Sequence, residues 1–102
     1  MSGRQRKTLV YKGRDAGVVE GRVYRCRFHS PHLRLKPAAI GFSWDVLAQL
    51  IALGVERLEV EDAETGMTYW VSLAHFVEHS FTFNYGFGGQ AALPLEGWRV
   101  YG

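Results

Sequence analysis

A single cysteine in 102 residues rules out an internal disulfide, the common support of secreted domains of this size. Long hydrophobic runs are missing as well. The longest, Val46 to Leu53, is interrupted by Gln49 and falls far short of the roughly 20 apolar residues that cross a bilayer. Arg4, Arg6 and Lys7 imitate the charged start of a signal peptide, yet only Leu9, Val10 and Tyr11 stand before Lys12, too few for the apolar region that must follow. These absences predict a cytoplasmic protein with no membrane partner. There is no internal repeat and no low-complexity segment.

Familiar catalytic signatures are equally scarce. No serine occupies a G-x-S-x-G elbow, and no Lys-Ser/Thr pair closes the glycines at 86, 88 and 89 into a phosphate loop. Position 91 is Ala where a dinucleotide fingerprint requires its third glycine, and Leu93-Pro94 interrupts any helix that would follow. Gly86-Phe87-Gly88 echoes the centre of the RNP1 box of RNA-recognition domains, but Tyr85 stands where that box needs a basic residue and its second aromatic half is absent. The reading that fits is a glycine-rich turn, with Phe81, Phe83, Tyr85 and Phe87 alternating along one side and packing into the core.

His75, Glu78 and His79 match the H-x-x-E-H spacing of some zinc hydrolases, in which two histidines one helical turn apart share a metal. A metal-dependent hydrolase through these three residues is the remotest alternative, because Glu96 is the sole carboxylate after His79 to supply a third ligand. Cys26 lies between Arg25 and Arg27, but a strand's two-residue period puts it on the opposite face, where it is a buried, unreactive thiol. No catalytic residue, metal or cofactor is expected, and the protein reads as non-enzymatic.

What the chain does have is apolar content, 47% with 14% aromatic, enough to fold. Its length allows one core, expected over residues 8–102 behind a mobile basic tail at 1–7. The alternation of Thr8 to Lys12 and Val18 to His29 predicts two strands around the loop 13–17, the second with a bulge at Gly21. Tyr24, Cys26 and Phe28 should share one face of that strand, and Arg25 and Arg27 the other. After Pro37 the chain should turn through Gly41 into a helix over 43–53, capped by Ser43 and ended by Gly54. Beyond the Ser43 cap only Asp45 and Gln49 are polar in it, so most of its circumference should be buried, with Trp44, Leu47 and Ile51 in the core. Residues 56–62 and 67–73 predict a hairpin around Ala63 to Gly66, Ser72 caps a short second helix over 73–79, and strands follow at 81–85 and 98–101. The expected fold is α+β: a small, mainly antiparallel sheet of about five strands with the 43–53 helix on one face.

Charge is the main functional pointer. Residues 1–36 hold ten Lys/Arg against two acids, a net +8, and residues 37–102 hold two Arg against eight acids, a net −6. A basic first third points to an acidic partner, nucleic acid first, with Arg25, Arg27, Arg34 and Lys36 on phosphates and Arg4, Arg6 and Lys7 adding unspecific attraction. The alternative is a protein-interaction module or homodimer in which the basic 1–36 region meets the acidic 56–64 hairpin or another acidic protein. The two differ in one observable. A continuous exposed basic patch supports the first, and acids interleaved with the arginines support the second.

Overall fold

The computed structural model describes residues 6–11, 14–28, 39–85 and 88–101. Within them the fold is α+β, with the antiparallel bias the sequence predicts. The strands number nine and divide into two sheets, instead of about five in one. The larger sheet runs β1 (Arg6–Tyr11), β2 (Arg14–Glu20), β3 (Val23–Phe28), β5 (Arg57–Asp62), β6 (Thr68–Ser72), β9 (Arg99–Tyr101). The smaller runs β4 (Ala39–Ser43), β8 (Gly88–Pro94), β7 (Phe81–Tyr85). Two helices, α1 (Trp44–Ala52) and α2 (Leu73–His79), complete it, and a single 3₁₀ turn precedes β9.

Several local expectations hold because their causes are local. Ser43 Oγ accepts from the Val46 N–H at 3.2 Å and Ser72 Oγ from the His75 N–H at 3.1 Å, so each serine satisfies a backbone donor left free by its helix start. The β5–β6 hairpin turns where predicted, its loop closed by Asp62 Oδ1 accepting from the Glu64 N–H at 2.9 Å. Tyr24 is buried and Arg25 and Arg27 exposed on β3, while Leu58 and Val60 are buried on β5, as period two requires.

Other expectations are corrected. Residues 18–28 are not one strand with a bulge, and His29 of the expected strand lies outside the described residues: the chain reverses at Gly21, φ +65°, so that β2 and β3 pair antiparallel. Positive φ is freely available to glycine alone, which is why a turn fits there. The irregularity falls in β1–β2, where the register slips between Leu9 and Val10. Arg6 and Lys7 begin β1 rather than belonging to a tail. Gly41 lies inside β4, an edge strand that starts after Pro37 and pairs with β8; an edge position leaves one side of the strand unpaired, which is where a nearby proline does least harm. Gly88 and Gly89, expected in a glycine-rich turn, instead open β8 (88–94), the central strand of the small sheet, with Ala91, Ala92 and Leu93 buried. Phe81 is exposed, so the aromatic alternation does not place all its rings inside. The side chains of Phe83 and Tyr85, and Phe87 itself, lie outside the described residues.

The core joins the inner face of the large sheet to the small sheet and both helices. Tyr24, Phe42, Phe76 and Trp98 form a chain of edge-to-face rings with centroids 6.0, 5.5 and 5.9 Å apart, the geometry aromatic quadrupoles favour. Trp98 Nε1 donates to the Leu93 carbonyl at 3.1 Å, so its polar end is satisfied. Gly17 backs onto this cluster: a Cβ there would sit 2.6 Å from the Arg25 carbonyl and 2.7 Å from the Tyr24 ring.

Candidate functional site

The described residues offer two surfaces. On the outer face of the large sheet, β3 and β5 run parallel with Arg25 opposite Glu59 and Arg27 opposite Glu61. The residues directly across the strands make two lateral rows: Arg25, Glu59, Trp70 and Arg99, then Arg27, Glu61, Thr68 and Tyr101. Arg25 Nε donates to Glu59 Oε1 at 2.9 Å and Arg27 Nε to Glu61 Oε1 at 3.2 Å. Arg25 also approaches Glu20 at 3.5 Å, and Arg22 pairs with Glu56 at the end of the ladder. Exposed pairs of this kind add only about 0.2–1 kcal/mol each to stability. Their main effect is electrostatic, since the arginines carry acids beside them.

The same face bears a cluster that sequence reading missed. The Arg57 guanidinium lies 4.0 Å from the Trp70 ring centroid and 5.9 Å from that of Tyr101, and Arg99 lies 5.4 Å from Trp70. Trp70 and Tyr101 are 6.5 Å apart and tilted by 48°. Arg57 Nε is 2.9 Å from Glu59 Oε2, close enough for attraction, but its N–H is not aimed at the carboxylate and makes no hydrogen bond. The strand alternation of Arg99 and Tyr101 was the available signal, but its meaning depends on β9 pairing with β6.

Cys26 and Tyr24 point the other way, inward. Burial pushes the Cys26 thiol up to about 12, with its hydrogen bond to Tyr24 acting in the opposite direction. Burial also raises the Tyr24 phenol, with the neighbouring thiol adding to it. A thiol held protonated in this way is a poor nucleophile.

The second surface is helical. Of the nearly all-apolar α1, only Val46, Leu47 and Leu50 are buried. Leu47 is in the core as predicted, but Trp44 is 40% and Ile51 56% exposed. These two side chains, seven residues apart, lie on one stripe of the helix. The helix rests against β4 and β8 on one side, and among the described residues Trp44 and Ile51 on its other side stay exposed. Between α1 and α2 runs an open groove of about 720 Å³ lined by Ile51, Val55, Leu73 and Val77, and the charged groups lining it, Glu56 and Glu78, are both acidic. Val77 is 41% exposed.

His75 and His79 stack on α2 with ring centroids 4.4 Å apart, and His79 Nε2 lies 3.8 Å from Glu78 Oε1. Among the described residues no group of three or more His, Cys, Asp or Glu is placed to hold a metal ion. Of the residues expected to meet phosphates, Arg25 and Arg27 are brought together on β3, each beside a glutamate. The side chains of Arg6 and Lys7 on β1, and the whole of Arg4, Arg34 and Lys36, lie outside the described residues. No helix among the described residues is long and apolar enough to cross a membrane. The chain matches no family of known proteins, no curated protein and no solved structure.

Proposed function

We propose that this protein is a small, non-enzymatic interaction domain that takes a protein partner in the groove between α1 and α2. The observation that carries the reading is the mismatch in α1: a helix apolar almost all round buries three residues and leaves Trp44 and Ile51 in water. A fully exposed large apolar side chain forgoes about 1.5–3 kcal/mol of burial free energy, and the half-exposed Ile51 roughly half of that, which a partner covering the groove would recover. The interleaved acids on the outer sheet face support an interaction domain over a phosphate-binding patch. They also leave less support for a dimer in which the basic 1–36 region meets the 56–64 hairpin, because Arg25 and Arg27 already meet that hairpin's Glu59 and Glu61 within one chain.

The occupant best matched to the groove is an amphipathic helix with a basic flank. Its apolar face would replace water over Ile51, Val55, Leu73 and Val77, and its Lys or Arg would approach Glu78 and Glu56. A second copy is matched less well, since it would bring the same acidic groups to the contact. The test is titration with a helical peptide carrying leucines at i, i+3, i+4 and i+7 with lysines beside them, followed by amide shifts. Shifts centred on α1 and α2, abolished by Ile51→Asp and weakened when the lysines become glutamates, are expected. No shift there with either peptide overturns the reading. Concentration-dependent dimerisation lost in Ile51→Asp would replace the basic helix by a second copy.

A second reading keeps single-stranded nucleic acid as a partner of the outer sheet face. It is favoured by Trp70 and Tyr101 standing beside Arg57 and Arg99, since aromatic rings on an open sheet with cations beside them can stack bases.

A further inference from the structure

On the outer face, beside the Tyr101 ring, lies a recess of about 310 Å³ lined by Arg25, Cys26, Glu59, Glu61, Thr68 and Tyr101. Its size is at the small end of ligand sites. The charges around it restrict what it can hold. A free phosphate would face Glu59 and Glu61, and a cation would face Arg25 and, at the adjoining ring, Arg57. What suits a recess with paired charges and an aromatic wall is a neutral, flat ring that carries its own donors and acceptors.

We infer that this recess takes one unpaired nucleobase, stacked on Tyr101 and hydrogen-bonded by Glu61, Thr68 and Arg25, with guanine preferred. The inference rests on the nucleic-acid reading of this face. Tyr101 is 39% exposed and lines the recess, so part of its side chain is accessible there. Glu59 is held between Arg25 and Arg57 and is nearly covered, whereas among the described residues Glu61 pairs with Arg27 and its side chain is 44% exposed. Glu61 is therefore the carboxylate free to accept further bonds. An ionised carboxylate only accepts hydrogen bonds. Guanine presents an imino and an amino N–H side by side, which one carboxylate can take together. Uracil offers a single N–H flanked by carbonyl oxygens that would repel it. The Thr68 hydroxyl can donate or accept, and Arg25 donates to a ring acceptor. The Arg57–Trp70 stack beyond Tyr101 supplies a second ring for a neighbouring base.

The test uses the full chain with fluorescein-labelled oligouridine and the same oligomer carrying one central guanine, read by anisotropy at two salt concentrations. The guanine oligomer is expected to bind about tenfold more tightly, the scale of one bidentate base contact. Glu61→Gln should bring the ratio of the two affinities to about one, and because it also removes a negative charge beside Arg27, oligouridine should bind the variant no more weakly than it binds the native chain. Tyr101→Ala should weaken both oligomers, Tyr101→Phe should restore them, and near-native thermal melting of each variant establishes that it is folded. If both oligomers bind equally, lose affinity steeply with salt and ignore Tyr101→Ala, the base site is overturned and nucleic-acid binding rests on the basic segments alone. If neither binds at low salt, the nucleic-acid reading fails with it.

Discussion

The two faces of this molecule are opposites in how they meet water. The outer face of the large sheet is rich in charge but self-satisfied: Arg25 and Arg27 have Glu59 and Glu61 beside them, and Arg57 lies over Trp70. The helical face is poor in charge and unsatisfied, with Ile51 and Val77 exposed along an apolar groove and Trp44 exposed on the same stripe of α1 as Ile51. The difference teaches that a charge count along a chain is a weak guide to a partner. Charges 34 residues apart are neutralised by strand pairing, while hydrophobic groups that find no place inside remain available for recognition.

The comparison breaks most severely at the core both faces share. Phe76 is fully buried and contacts the Phe42 and Trp98 rings. Phe76→Ala is expected to cost about 3–5 kcal/mol, as other buried Phe truncations do, measured by denaturant unfolding. A loss comparable to a surface change would mean that the ring chain is not central.

Neighbouring positions on α1 sharpen the contrast next. Leu50 is fully buried and Ile51 largely exposed. Leu50→Ala should cost about 2–5 kcal/mol, whereas Ile51→Ala should stay within about 0.5 kcal/mol, the range of surface substitutions. Equal losses in dilute protein would show that the groove is already covered, and would remove the case for a partner.

The inner and outer sides of β3 can be separated by pH. Cys26 faces inward, and burial raises its pKa from 9.0 to about 12. Between those values the unfolded chain has released the thiol proton and the folded chain retains it, so stability falls as pH rises through the window. Unfolding measured from pH 8 upward should show this decline, by a few kcal/mol at most, and Cys26→Ala should reduce it. If Arg25 and Arg27 instead governed the thiol, alkaline pH would stabilise the fold.

The smallest effect belongs to the outer ladder. A double-mutant cycle on Arg27 and Glu61 is expected to give about 0.2–1 kcal/mol, diminishing with added salt. A coupling several times larger, and insensitive to salt, would make this face structural rather than simply neutralised.

Read alone, the sequence determined what depends on near neighbours. The serine caps, the 63–66 turn, the inward Tyr24 and the inward Leu58 and Val60 each follow from a few adjacent residues, because capping bonds and side-chain alternation operate within one turn or two positions. Trp44 and Ile51 were misread because an apolar helix does not state which of its sides the rest of the chain will reach. Only the tertiary structure decided that β5 would lie parallel beside β3 and put Glu59 and Glu61 against Arg25 and Arg27. It alone set Trp70 and Tyr101 on one face and left the α1–α2 groove open. Those outcomes come from pairings between residues far apart in the chain. Such pairings are chosen by the total burial and hydrogen bonding of the whole fold, a quantity that no local pattern carries.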